Sequence, residues 1–352
     1  MEITETKKLL SMVNHCLTRI PDSLGNQYFE WLHIQASNGR MTVKHVTSAV
    51  QSEISFDAGT GDLDPIAVDG MQMKKTLTGM NHKEPVDLEP MKNKLKVSQG
   101  TTVGKIPTFD AEQIPDLPSM GTPDEVVSID NGEHIRFIAT SIDNGPLPVL
   151  RIIDDGSLTT AYGFSRSMFF LKEDSSVGEA DITVPATCWA GWKDNTLIEK
   201  HDNYINIKRT SGELEGLTMI VRPSDSVIPD SALSLIPVID DPVIINQKLF
   251  DEALKKVMPS AEAEDYIGVK STRGQIVLDI VNKKRGSGIR STCDASGTMG
   301  QLYFFASTLY TIISKTKDTE VWIQEGDRGQ VLFCGSDGTI GYVIKPSKIA
   351  NI

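Results

Sequence analysis

The feature that most constrains this chain is a turn that occurs three times. Asn38-Gly39 lies between the apolar runs WLHIQ and MTVKHV, Asp154-Asp155-Gly156-Ser157 interrupts LPVLRIIDDGSLTTAYGFSRSMFF, and Arg273-Gly274 lies between YIGVK and IVLDIV. Gly tolerates positive φ, and Asn and Asp fold back on their own backbone, so each stretch reads as a β-hairpin. Gly39, Gly156 and Gly274 stand 117 and 118 residues apart in a chain of 352, close to one third of its length. A chain of three equivalent units follows, and its length is too great for one ordinary core.

The elements around each hairpin repeat in order. Residues 5–20 place Leu9, Leu10, Val13, Cys16, Leu17 and Ile20 on one stripe of a helix, with Lys7, Lys8, Ser11, Asn14, His15 and Thr18 opposite. An acidic, glycine-bearing loop at 57–64 and a strand at 65–68 lead into a helix over 69–81 capped by Asp69. Strands PVDLEPM and KLKVSQ follow, and Ile114-Pro115-Asp116 closes the unit. The middle third predicts a helix over 131–142, a strand over 180–184, a helix from Pro185 to about Trp192 and strands LIEKH and YINIKR, ending at Ile228-Pro229-Asp230. The last third predicts a helix over 246–259 with Leu249, Phe250, Leu254 and Val257 buried, a strand over 301–305, a helix over 306–315, and strands EVWIQ, QVLFCG and 339–344. Each unit therefore reads as two helices against antiparallel strands, an α+β class.

Composition narrows the function. The net charge of −12, from 35 Lys and Arg against 47 Asp and Glu, argues against a protein that grips nucleic acid with its whole surface. It leaves room for a basic lining, because the distribution of charge matters more than its sum. Cys16, Cys188, Cys293 and Cys334 are far apart, with no CxxC pair, and read as reduced thiols, mostly buried, in a cytosolic protein without a zinc site. No apolar run is long enough to span a membrane, and MEITETKKLL lacks the pattern of a secretory signal.

A search for chemistry finds no catalytic constellation, and no cofactor is expected. Asp154-Asp155, Asp240-Asp241 and Glu262 to Asp265 are acidic enough for Mg²⁺, but turn chemistry accounts for the first. GTGDLD at 59–64 lacks the Lys-Ser/Thr of a phosphate loop and precedes a strand. His15, His33, His45, His82, His134 and His201 are dispersed, with no GxSxG nearby.

In this setting several local patterns occur in a telling order: helix then Asn-Gly hairpin; DPIAV followed by the helix at 69–81; IPDLP ending the first unit; Ile228-Pro229-Asp230 followed by Leu235-Ile236-Pro237 ending the second; and a terminal YVIKP. In these the whole chain resembles the bacterial-type β sliding clamp of DNA polymerases. The resemblance implies three clamp domains at 1–119, 120–239 and 240–352, and a head-to-tail homodimer closing a ring of six. Helices would line the hole, and duplex DNA would pass through without being read by sequence. The clamp itself would tether a polymerase without catalysis, and an ATP-driven loader would open it. Lys7, Lys8, Arg19, Lys74, Lys75, Arg136, Lys193, Lys255, Lys256, Lys315 and Lys317 lie on or beside predicted helices and would face DNA. Taken singly, any of them reads equally well as a solvated helix face.

The same resemblance implies an apolar cleft for the short peptides of polymerases and repair enzymes. The matching positions are Leu147, Met168, Pro237 and Val343, with Arg166 where the family tends to carry histidine and Pro346 at its terminal Met-Pro-Met. Apolar walls from separate strands suit a leucine or phenylalanine anchor, though each residue also reads as ordinary core. Lys345 and Ser347 replace the family's methionines, as in a clamp serving its own polymerase, for instance a phage-encoded one acting in the host cytoplasm. The competing readings are a β-rich scaffold that never encircles DNA and a clamp-shaped decoy with the cleft but no basic lining.

Overall fold

The computed structural model describes residues 1–17, 31–46, 50–109, 121–142, 147–165, 167–175, 177–189, 192–223, 226, 228–262, 265–281, 289–316 and 318–347. The first third runs β1 (Glu2–Ile3), α1 (Thr6–Leu17), β2 (Trp31–Ser37), β3 (Arg40–Val46), β4 (Val50–Asp57), β5 (Gly59–Thr60), β6 (Leu63–Asp69), α2 (Gly70–Thr78), β7 (Val86–Met91), β8 (Lys94–Gln99) and β9 (Thr102–Phe109). The middle third follows with β10 (Glu125–Ile129), α3 (Gly132–Ile142), β11 (Leu147–Asp154), β12 (Leu158–Phe164), β13 (Met168–Asp174), β14 (Ala180–Pro185), a 3-10 turn at Ala186–Trp189, β15 (Thr196–His201), β16 (Tyr204–Arg209) and β17 (Thr218–Val221). The last third has β18 (Val243–Asn246), α4 (Gln247–Val257), β19 (Tyr266–Thr272), β20 (Gln275–Val281), β21 (Arg290–Ser296), β22 (Met299–Phe305), α5 (Ala306–Lys315), β23 (Glu320–Glu325), β24 (Val331–Cys334) and β25 (Ile340–Ile344). Apart from the added two-residue β5, one order of elements recurs: strand, helix, three strands, strand, helical segment, three strands.

Turn chemistry sets the hairpins. Asn38 and Gly39 have φ of 51° and 76°, and Arg273 and Gly274 have 53° and 78°, the paired positive values that match the twist of two-residue hairpins. At the middle hairpin the Asp155 carboxylate accepts from the Ser157 and Leu158 amides and the Ser157 hydroxyl, which hold it below the usual carboxylate range. Asp154 accepts from the Gly156 amide and the Thr159 and Ser175 hydroxyls. Both carboxylates are thus committed to the turn. Asp69 caps α2 by accepting from the Gln72 amide at 2.8 Å, and Asn246 caps α4 through the Leu249 amide at 3.1 Å.

The chain divides into two compact units. One comprises Met1–Asp143, Pro148–Thr159 and Asp174–Ser226; the other comprises Asn144–Leu147, Thr160–Glu173 and Val227–Ile352. In the first, the strand order is β10-β15-β16-β17-β4-β3-β2-β6-β9-β8-β7-β1-β5, and β11 pairs with β14. Helix α1 packs on α2, and α3 on the 3-10 turn. Leu9, Met12, Val13, Met73, Leu77, Ile135 and Ile138 are fully buried there. In the second unit the order is β13-β25-β24-β23-β18-β21-β20-β19-β22, α4 packs on α5, and Phe250, Leu254, Leu309 and Ile313 of these helices are fully buried.

Four expectations need correction. Of the second helix expected in the middle third, the described residues form the 3-10 turn Ala186–Trp189, followed by an i→i−3 bond from the Trp192 amide to the Trp189 carbonyl; Thr187, Cys188 and Gly191 are poor helix formers, so local propensity does not favour a longer helix. His15 lies 4 % exposed, away from solvent, and Leu249 is 42 % exposed, its expected place on the buried stripe of α4 taken by Ala253. The 57–64 loop is partly strand: β5 pairs with β1, and β6 starts at Leu63. Ile114-Pro115-Asp116 and the boundary at 119 lie outside the described residues. Cys16, Cys188 and Cys334 are buried and Cys293 half-buried, and burial pushes the Cys293 and Cys334 thiols up to about 11 and about 12.

Candidate nucleic-acid interface and partner cleft

Each helix pair carries cations. Lys7 and Lys8 project from α1 and Lys74 and Lys75 from α2; Arg136 lies on α3 and Lys193 just after the neighbouring 3-10 turn; Lys255 and Lys256 lie on α4 and Lys315 on α5. Arg19 and Lys317 fall outside the described residues, as does the Lys315 side chain.

Several of these cations have acidic neighbours. Lys7 reaches Glu213 at 2.9 Å, Arg136 reaches Glu133 at 3.7 Å, and Lys255 reaches Asp251 at 2.6 Å, which holds its ammonium above the usual lysine range. Such exposed pairs are weak and exchange readily for a phosphate. Lys8 stands 5.6 Å over the Phe56 ring. Lys74, Lys75, Lys193 and Lys256 form no ion pair among the described residues.

Of the cleft positions, Met168, Pro237 and Val343 meet at one sheet edge, and the described ones all belong to the second unit. Alternating antiparallel strands bring alternate termini to one edge of a sheet. Met168, at the start of β13, is the register partner of Val343 near the end of β25, and Ile344 is the partner of Val331 at the start of β24. Leu147 is the first residue of β11. Pro237 joins this edge through the β23–β24 loop: a Cβ on Gly326 would stand 2.9 Å from the Pro237 ring. Met168, Pro237 and Val343 are buried, while Leu147 and Pro346 are half-exposed. Arg166 lies outside the described residues. Lys345 is exposed, and the Ser347 amide donates to the Tyr303 carbonyl, tying the segment after β25 to β22.

Two further residues at this edge have no signal in the sequence. Val238, beside Pro237, is 84 % exposed. Ser167, beside Met168, is 4 % exposed, and its hydroxyl has no partner among the described residues. Apolar exposure and unmet hydrogen bonds are products of packing, so neither has a local signature.

Two strand joints link the thirds, and both follow one rule. The fourth strand of one third pairs antiparallel with the last strand of the next: β4 with β17, and β13 with β25. Applied once more, the rule leaves two strands over. β21, the counterpart of β4, pairs with β20 and β18, and β9, the counterpart of β17, pairs with β8 and β6; the outer edges of 290–294 and 102–107 have no strand beside them among the described residues. Val103 on that edge of β9 is 52 % exposed.

Among the described residues no group of three His, Cys, Asp or Glu could hold a metal ion, and no helix is long and apolar enough to cross a membrane. No protein-family model matches the chain, and no curated protein matches it by sequence. Solved structures do. The β subunit of DNA polymerase III from Thermotoga maritima aligns over 99 % of this chain and 100 % of its own, with a TM-score of 0.81 at 13 % identity. That from Pseudomonas aeruginosa aligns over the same shares with a TM-score of 0.76 at 14 % identity. A Helicobacter pylori β clamp bound to a DNA ligase peptide gives 0.78 at 13 % identity, again over 99 % and 100 %. From end to end, this chain has the fold of the DNA polymerase III β subunit.

Proposed function

We propose that the chain is a DNA sliding clamp: three modules at 1–119, 120–239 and 240–352 that close with a second copy into a ring around duplex DNA and tether a polymerase without catalysis. The observation that carries this reading is the pair of strand edges that have no neighbour among the described residues. Two internal joints of one kind leave β21 and β9 as the complementary halves of a third, and two copies joined head to tail complete both at once. The fold shared with DNA polymerase III β subunits supports the same reading.

DNA is held by charge in this scheme. Lys74, Lys75, Lys193 and Lys256, with the exchangeable pairs of Lys7, Arg136 and Lys255, attract phosphates without reading bases, so the ring slides. Arg19, Lys8, Lys315 and Lys317 belong to the same lining. Leu147, Arg166, Met168, Pro237, Val343 and Pro346 form the cleft for partner peptides in this reading; a Helicobacter pylori β clamp of the same fold binds a DNA ligase peptide. Lys345 and Ser347 tune it toward the protein's own polymerase, phage-encoded or otherwise. The site of action is then the cytoplasm where that polymerase works, and a separate loader opens the ring.

Retention on DNA tests the reading. Protein loaded on a closed circle should stay bound and run off once the circle is cut. Equal loss from both forms removes sliding, whatever the fold. Val103→Asp should turn a dimer into a folded monomer by light scattering; an unchanged mass removes the joint.

A further inference from the structure

At the cleft edge the strand order β13-β25-β24-β23-β18 sets a span of four strand spacings, about 19 Å. An extended peptide covers that in about six residues at ~3.3 Å each. The two ends of the span differ in chemistry.

At the β13 end, Met168 and Val343 are buried and apolar. Beside them the Ser167 hydroxyl is enclosed and has no partner among the described residues. At the β18 end, Val238 stands 84 % exposed. The amides of Asp240 and Asp241 both donate to the Gln324 Oε1, at 3.2 and 3.3 Å, so β23 pins this loop while both residues remain exposed. Glu325 and Asp327 are exposed on the adjoining loop. The opposing cations are Arg328, whose Nη1 lies 3.4 Å from the Ser234 Oγ, and Lys345, which follows β25 nearer the apolar end. The β18 end is therefore net acidic around an exposed valine.

A Lys or Arg fits that combination, because its methylene stem covers apolar surface while its head stays in water beside carboxylates. Resting on the cleft reading above, we infer that the peptide taken here joins its apolar anchors, seated at Met168 and Val343, to a basic residue about six positions away, seated on Val238 between Asp240 and Asp241.

Fluorescence polarisation on the full-length protein tests this with labelled peptides that carry Leu and Phe anchors and either Lys or Glu about six positions off, on either side. The Lys form should bind about tenfold tighter than the Glu form at low ionic strength, and Asp240→Asn with Asp241→Asn should shrink the difference to about twofold or less. Val238→Ser should weaken the Lys form and leave the Glu form unchanged. If both forms bind the wild type equally, the basic-residue inference is overturned and the cleft stands. If neither binds, the cleft reading falls and takes the inference with it.

Discussion

The joints β4–β17 and β13–β25 perform one topological task with different chemistry. In the first unit the partners are Val50↔Val221, Gln51↔Ile220, Ser52↔Met219 and Glu53↔Thr218, a half-polar seam. In the second they are Met168↔Val343, Phe169↔Tyr342, Phe170↔Gly341 and Leu171↔Ile340, apolar throughout. The polar seam is supplemented nearby. Arg209, 6 % exposed, pairs with Asp194 at 2.7 Å, lies 3.2 Å from the His15 Nδ1 and stacks 4.4 Å over Trp192, pinning α1 of the first third to the middle third. The apolar seam instead sets Phe169 edge to face with Tyr342 at 5.4 Å, and burial drives the Tyr342 phenol upward. Equivalent backbone pairings thus persist under either a buried charge knot or a dry aromatic contact, because ladder hydrogen bonds do not depend on side-chain type.

Perturbing the charge knot or the aromatic contact has the largest expected effect. Arg209→Met leaves Asp194 without its buried partner and should cost about 3–5 kcal/mol in denaturant unfolding, with Asp194→Asn on the same background recovering part of it. Phe169→Ala should cost a similar ~3–5 kcal/mol at the other seam, with no recovery from any charge change. If both variants respond alike to added salt, the contrast between the seams is wrong.

Gly341 sharpens the apolar side. A Cβ there would collide with the Phe170 ring, so Gly341→Ala should cost about 1–3 kcal/mol, readable as a fall in Tm. Acid provides a smaller effect at a different ion pair of the first unit, Arg151 with Asp181 between β11 and β14. Hydrogen bonding to Arg151 holds Asp181 below the usual carboxylate range, so its contribution is present above the unfolded carboxylate pKa of about 4 and is lost as pH falls through its lower folded value. Asp181→Asn should therefore flatten the fall of Tm below about pH 4, with hydrogen exchange rising in β11 and β14 before β13 and β25. The smallest effect belongs to Lys7→Ala, whose exposed pair with Glu213 should leave Tm unchanged within error while lowering DNA retention in the loading assay.

Much of this fold is legible in the sequence, since its signals are local. The glycines at 39, 156 and 274 give three hairpins, Asp69 caps α2 within three residues, and periodicity gives α1, α4 and α5. The resemblance places cations on helix pairs and collects Leu147, Met168, Pro237 and Val343 before any contact is visible. The sequence did not reveal what those neighbours would do to individual side chains. His15 has the polarity and spacing of a surface residue, and its buried environment is supplied by Arg209, 194 residues away.

By itself, then, the sequence determined the count of units, the order of elements within them and the turn chemistry, each encoded within a few residues of where it acts. Only the tertiary structure decided which strands meet, that β9 and β21 have no strand on their outer edges among the described residues, that Val238 stands in solvent while Ser167 is enclosed, and that His15 is buried against Arg209. Those outcomes depend on close packing between segments distant in the chain. Hydrophobic pattern specifies that a face must be covered but not by which partner.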